Sequence, residues 1–281
     1  MMNVIGLGNA GCSVAAHLEE HLQYNVYYVD TSNDKKYKNF SKVKEQESHE
    51  AYEENYKKIR FKNLSTDSTI VILSGSGKIS GLILRLLEQL KERELSILYI
   101  KPDLSLLDET SSMRERVVFG IIQQYTRSNL LKNMRIVSNE SVERVLESIS
   151  IVDYWNDVNA VIASTFHMLN VFDNTEPILT TMAEMKETNR ISTMGVVAYK
   201  NLNEKIFYHL EKPRLKKYFF GISEKTLNEE KDLLHKIRSY VKGKSEEKCT
   251  ACFAIYPTGY DEDYVYVSQH ASLIQEESVD F

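Results

Sequence analysis

Over the first half of the chain, apolar residues arrive in short runs, each followed by a glycine turn or a polar break and then by a helical pattern. The run at residues 3–6 predicts a strand, a glycine turn follows, and 13–22 reads as a helix. Residues 25–29 alternate into a second strand, and the charged stretch 35–62 reads as helix plus solvated loop. A buried strand is expected at 69–73, a helix at 82–94, a strand at 96–100, a helix at 112–127 and a strand at 134–137. Strands alternating with helices at this spacing predict a parallel sheet covered on both faces. Ile151, Trp155, Val158, Ile162 and Phe166 keep helical period, so 147–169 reads as one long helix that Pro177 prevents from running on. Beyond Pro177 the pattern predicts a helix at 178–187, strands at 192–199 and 218–222, a helix at 227–241 and paired strands at 251–256 and 263–268. The expected fold class is α/β, with a Rossmann-like parallel-sheet domain (1–146), a long central helix with the loop after it (147–176), a smaller α+β domain (177–272) and an acidic tail (273–281) expected to be disordered.

Composition narrows the classes. The chain has 281 residues, 42% of them apolar, enough for a sizeable core. Its formal net charge of −5 argues against a generic nucleic-acid or anionic-membrane binder. No apolar run approaches the roughly 20 residues that span a bilayer. Scarce cysteine (Cys12, Cys249, Cys252) and no leader pattern predict a cytoplasmic protein. Cys249-Thr250-Ala251-Cys252 has the spacing of a redox or zinc pair, but it opens a strand-like run and lacks a second ligand pair, so structural thiols are expected. The histidines show no ligand spacing, and no metal site is expected.

Two glycine loops carry the chemistry. Gly6, Gly8 and Gly11 satisfy a GxGxxG fingerprint: a tight turn, close backbone approach to a diphosphate, and a helix N-terminus with free N–H groups. Asp30, ending the second strand, stands where a ribose-binding acid stands in an NAD enzyme. The fingerprint alone does not identify the nucleotide, and an empty glycine turn is the plain alternative. The second loop, Gly75-Ser76-Gly77-Lys78-Ile79-Ser80-Gly81, is not needed by an NAD-binding fold, whereas further phosphates call for more N–H groups and hydroxyls; an ordinary strand-to-helix turn is the plain alternative. It is not a Walker loop, because Ile72 and Ile79 occupy the required Gly and Ser/Thr positions. Trp155 and Asn159, one helical turn apart, share a face and can reach one base, although a lone Trp on an apolar helix is usually core.

Taken in order, these motifs resemble the tubulin/FtsZ superfamily over roughly residues 1–200. Gly8-Asn9-Ala10-Gly11-Cys12-Ser13 is similar to the family's first phosphate loop, and Val29-Asp30-Thr31 to the strand end after it. Gly75–Gly81 occupies the place of its signature loop, with Gly75, Ser76, Gly77, Lys78, Ser80 and Gly81 as the corresponding phosphate-side residues. Tyr99-Ile100-Lys101-Pro102 looks like a strand end of FtsZ. Asn139-Glu140 resembles the guanine-binding asparagine after a strand, Trp155 the stacking aromatic and Asn159 the base-edge asparagine. Leu169-Asn170-Val171, followed by Asp173 and Glu176, resembles the loop that completes the next subunit's GTPase site.

The resemblance implies a tubulin/FtsZ-like GTP-binding domain, GTP or GDP with Mg2+ as ligands, head-to-tail self-assembly, and hydrolysis through Asp173 and Glu176 of a neighbouring subunit. It also implies an adaptor or cargo protein as a partner for the acidic tail. Lys78 and Ile79 stand where the family prefers Thr and Gly, Ala160 where FtsZ carries an aspartate, the stretch between Asp30 and Thr69 is short, and Phe172 reads as an insertion. These departures predict slow hydrolysis and point to an accessory, plasmid or phage member. Two alternatives stay open: an NAD(P)-dependent oxidoreductase, resting on Gly6–Gly11 and Asp30, and a tubulin-like protein that does not polymerise. Asp173 and Glu176 also read as an acidic pair at the start of the helix expected at 178–187.

Overall fold

The computed structural model describes residues 1–146, 150–184 and 186–276. The chain divides into two compact units, Met1–Ser164 and Thr165–Phe281. Among the described residues no helix is long and apolar enough to cross a membrane.

In unit 1 the strands are β1 (Met2–Leu7), β2 (Tyr24–Asp30), β3 (Phe40–Lys42), β4 (Thr69–Leu73), β5 (Leu95–Lys101) and β6 (Asn133–Ser138). Its helices are α1 (Gly8–Ala16), α2 (His49–Glu54), α3 (Ile83–Leu90), α4 (Glu109–Arg127) and α5 (Asn139–Glu143). The strands run in the order β3-β2-β1-β4-β5-β6 and every pairing is parallel. Near-continuous apolar strands explain this arrangement: β4 reads Thr-Ile-Val-Ile-Leu and is buried throughout, as a strand covered on both faces must be. The chain runs outward one way through β1, β2 and β3, then returns to β4 and runs outward the other way. The reversal leaves a crevice at the carboxyl ends of β1 and β4, where both glycine loops emerge.

Unit 2 contains β7 (Leu179–Thr180), β8 (Ile191–Ala198), β9 (Asn203–Ile206), β10 (Leu215–Ser223), β11 (Thr250–Thr258) and β12 (Tyr264–Ala271), with α7 (Glu224–Glu229) and α8 (Leu233–Gly243). The division at Ser164 falls within α6 (Tyr154–Asp173). The unit 2 sheet is mixed, in the order β8-β12-β10-β11-β7 with β9 on the far side of β8. Leu233, Ile237 and Val241 of α8 pack against Tyr218, Phe220, Phe253 and Val267, an i, i+4, i+8 stripe meeting one face of the strands. Glu204 is shared by the Tyr218 hydroxyl (2.9 Å), the Tyr240 hydroxyl (2.6 Å) and Lys244 Nζ (2.7 Å). Burial pushes its carboxyl up, and the hydrogen bonds from Lys244, Tyr240 and Tyr218 overcome that and hold it below the usual value.

Several elements depart from the pattern-based expectation. The first helix begins at Gly8 rather than at 13, so the fingerprint itself forms its first turn. The charged stretch 35–62 contains the edge strand β3, and the second loop is partly a 3-10 helix, Lys78–Leu82. The long helix begins at Tyr154 and runs to Asp173, while 147–149 lie outside the described residues. It continues past Leu169 because Phe172 is buried against Tyr256 (ring centroids 4.5 Å apart) and Phe219 (5.8 Å), so Phe172 is core rather than a loop insertion. No helix forms at 178–184; Leu179 and Thr180 instead add antiparallel to β11, and Asp173 and Glu176 are therefore not a helix N-terminal pair. The helix expected at 227–241 is two helices, α7 and α8. The strands expected to pair as a hairpin, β11 and β12, are separated by β10, which pairs parallel with the first and antiparallel with the second. Of the tail, 277–281 lie outside the described residues, and Gln275 is buried, its Oε1 accepting from Glu211 N at 2.6 Å.

Candidate nucleotide site

The carboxyl ends of β1 and β4 open into a cavity of about 940 Å3 that lies within unit 1. Gly8, Asn9 and Ala10 form one wall, Ser76, Gly77 and Ile79 another, and Asn139, Trp155 and Asn159 a third. Gly8 sits at φ +68°, a conformation that favours glycine, and a Cβ there would lie 2.8 Å from Ile79 Cγ2. That close approach brings the two glycine loops together. The residue before α1, Leu7, offers no side-chain cap, so the first-turn N–H groups remain available to an anion.

The second loop is held from behind. The Ser80 hydroxyl is shared between Gly75 O (2.8 Å) and Gly77 O (2.7 Å), and Arg114 Nε donates to Ser76 O at 3.0 Å. Below the loop, Tyr99 donates to buried Glu115 (3.2 Å to Oε1), which also pairs with Lys101 at 3.3 Å.

The third wall is where the arrangement becomes specific. Trp155 is 61% exposed, a poor outcome for a core residue and a good one for a stacking face. Asn159, one turn later, is buried. Asn139 opens α5 at the end of β6, and its Oδ1 is buried with no hydrogen-bond partner. An amide oxygen shielded from water and left unpaired costs roughly 1–3 kcal/mol unless something supplies a donor.

No protein-family model matches the chain, and no curated protein does. Solved structures do match it. A GTPγS-form protofilament of TubZ from Bacillus thuringiensis serovar israelensis superposes with TM-score 0.69 at 14% identity, covering 98% of this chain and 87% of that one. CetZ2 from Haloferax volcanii, a GTPγS-bound protofilament, gives 0.68 at 12%, with 98% and 94% covered. An FtsZ dimer from M. jannaschii, described as empty, gives 0.67 at 10%, with 96% and 88% covered. This chain has the tubulin/FtsZ fold.

Within that tubulin/FtsZ fold, Gly8, Asn9, Ala10, Ser76, Gly77, Asn139, Trp155 and Asn159 line the cavity, as do Ser13 and Ile79 of the two loops and Ile100 and Pro102 at the end of β5. Gly11, Cys12, Gly75, Lys78, Ser80 and Gly81 do not line it. A Cβ on Gly11 would lie 2.0 Å from Ile72 O, and one on Gly81 2.0 Å from His49 O, so both glycines permit backbone packing behind the loops. Gly75 is pressed against the Tyr99 hydroxyl in the same way. Cys12 points backward, its Sγ 3.3 Å from Gly6 O, and burial with help from Asp30 pushes its thiol up to about 12. Lys78 is exposed and outside the cavity, and Ser80 spends its hydroxyl on the loop. Asp173 and Glu176 are exposed and belong to unit 2, the first closing α6 and the second in the loop after it.

Sequence reasoning missed Lys35, Tyr37 and His17 on the cavity wall. Lys35 Nζ donates to Ser13 Oγ at 2.7 Å, and Tyr37 stacks on Tyr28 with ring centroids 3.9 Å apart. Burial lowers the His17 pKa, disfavouring its charged form. Asp30, the residue an NAD enzyme would use for ribose, does not line the cavity, and its Oδ1 accepts from Thr31 N at 2.7 Å. Burial raises its pKa.

Proposed function

We propose that this chain binds a guanine nucleotide in the unit 1 cavity and assembles head to tail into filaments in the cytoplasm, hydrolysing GTP slowly between neighbouring subunits. The observation that carries the reading is the unpaired, buried Oδ1 of Asn139 beside the exposed ring of Trp155. A guanine edge offers N–H donors next to a carbonyl acceptor, and the amides of Asn139 and Asn159 can answer both. Trp155 covers the face of the base, and the backbone of Gly8–Ala10 and Ser76–Gly77 receives the phosphates. Lys35 adds a positive charge at the wall. The shared fold with GTPγS-form protofilaments of TubZ and CetZ2 supports the same reading.

Among the described residues no group of three or more His, Cys, Asp or Glu could hold a metal ion. Mg2+ therefore fits only as an ion brought in on the phosphates, where it neutralises charge as the phosphoryl group is transferred. Asp173 and Glu176 would act from the neighbouring subunit, a carboxylate orienting the attacking water. The Ile79 side chain takes up wall space beside the first loop, which favours slow turnover and also a second reading, a nucleotide-binding protein that does not polymerise.

Identification of the nucleotide released on denaturing the purified protein tests the first step; recovery of NAD(H) in place of GTP or GDP would overturn it. Phosphate release per molecule, followed across a protein concentration series with light scattering, tests the rest. Activity should rise with concentration, and Glu176→Ala should bind GTP, polymerise and fail to disassemble. Concentration-independent activity, or full activity in that variant, rules out hydrolysis between subunits.

A further inference from the structure

A second cavity of unit 1, about 960 Å3, opens along β3, the strand at the end of the parallel sheet. Lys42 and Lys44 stand on the strand side, Lys57, Lys58 and Arg60 on the facing wall, and Glu54 alone opposes them. All five cations are exposed, and among the described residues none of the five forms an ion pair, in a chain whose net charge is −5. The floor is apolar, with Phe40, Tyr52, Ile59 and Leu82.

The facing wall is fixed before anything binds. Gln89 of α3 accepts from the Tyr56 hydroxyl (2.6 Å) and from Ile59 N (2.9 Å), and its Nε2 donates to Ile59 O at 2.8 Å. The Ser41 hydroxyl bonds Arg60 O at 3.2 Å. On the other side, Tyr28 N donates to Asn39 O and Val43 N to Asp30 O, so residues 39, 41 and 43 turn their backbone groups toward β2. In a parallel pair the intervening residues, Phe40 and Lys42, turn theirs away from the sheet.

We propose that this groove is a docking site for an extended acidic peptide of a partner protein, which adds as a strand beside β3 and sets its carboxylates among the two rows of cations. Strand addition uses the outward N–H and C=O groups of the edge, and the charged rows choose among partners. Lysine on an edge strand also deters self-pairing, but that role needs only Lys42 and Lys44. Lys57, Lys58 and Arg60 lie on the opposite wall and call for an anionic occupant. A nucleic acid would meet the same charges, yet it has no use for a backbone-pairing edge or an apolar floor, and the remaining surface repels it.

The test is fluorescence anisotropy of a labelled octapeptide alternating Glu and Thr, titrated with the full chain. Saturable binding is expected, weakened about tenfold or more by Lys42→Glu combined with Lys57→Glu, and weakened similarly when the peptide backbone is N-methylated at alternate residues. If that variant melts early, Lys44→Glu with Arg60→Glu probes the same two rows. The proposal is overturned if the octapeptide does not bind, if N-methylation leaves binding unchanged, if charge reversal leaves it unchanged in a folded variant, or if labelled single-stranded DNA binds more tightly than the peptide. The nucleotide content of the protein plays no part in these measurements, so the groove and the nucleotide cavity stand or fall separately.

Discussion

Two cavities of unit 1 are close in volume, about 940 and about 960 Å3, and opposite in chemistry. The first is walled by glycine-loop backbone, four asparagines and one exposed tryptophan; the second is rimmed by lysine and arginine side chains. Backbone N–H groups are fixed in direction and cannot retract, so they suit a compact, highly charged ligand that must be held in one pose. Lysine ammoniums are mobile and well hydrated, and suit a long ligand whose charges are spread out. Size alone would have equated the two. The difference lies in whether the binding groups belong to the fold or merely project from it.

The sharpest way to break the comparison is to attack both walls and measure folding. Gly11→Ala puts a Cβ 2.0 Å from Ile72 O, where α1 and β4 must move apart, so destabilisation of about 3 kcal/mol or more, or failure to fold, is expected. Lys57→Ala with Lys58→Ala should stay within about 0.5 kcal/mol of the parent. Thermal unfolding measures both, and a tolerated Gly11→Ala would mean that the loop is not part of the framework.

Smaller effects should appear in ligand affinity. Asn139→Leu removes the unpaired amide, and nucleotide binding should weaken about tenfold to a hundredfold, with most of the preference for guanine over adenine lost. Trp155→Ala should weaken binding roughly threefold to tenfold by removing the stacking face, and Trp155→Phe should recover most of the loss. Calorimetric titration of GTP, GDP and ATP separates these cases. Equal losses for guanine and adenine in Asn139→Leu would show that the amide does not read the base.

Legibility in the sequence follows the same division. Asn139, Trp155 and Asn159 could be found because a strand end and a one-turn helical spacing are local patterns, and the structure does bring them to one cavity. Lys35, Tyr37 and Arg114 could not, since each reaches its place through a turn or a packed helix that only the fold positions. The edge strand Phe40–Lys42 is three residues long inside a charged run, too short to show a period of two. Residues 178–187 misled because Ile178 and Met182 fall at helical spacing, whereas the open edge of β11 captures Leu179 and Thr180 as a strand. The apolar run at 218–222 reads as a strand, but chain order favours a β11–β12 hairpin, and only burial of that run puts β10 between them.

The smallest expected effect concerns Cys12, which belongs to the first loop by sequence and to the packing behind it by structure. Its Sγ faces Gly6 O at 3.3 Å and Val29 O at 3.8 Å, and it does not line the cavity. Cys12→Ala should therefore change nucleotide affinity by no more than about twofold, within the range of a substitution that leaves the ligand contacts in place. The thiol gives a second readout. Burial raises its pKa to about 12, and a raised thiol pKa means less thiolate at any lower pH, about one part in ten thousand at pH 8. Iodoacetamide should leave Cys12 unmodified in the folded protein, with nucleotide or without it, and modify it readily in denaturant, as peptide mapping by mass spectrometry would record. Protection that appears only when nucleotide is bound would instead place Cys12 on the ligand side of the loop, and the division between backbone that meets the ligand and backbone that only supports it would have to be redrawn.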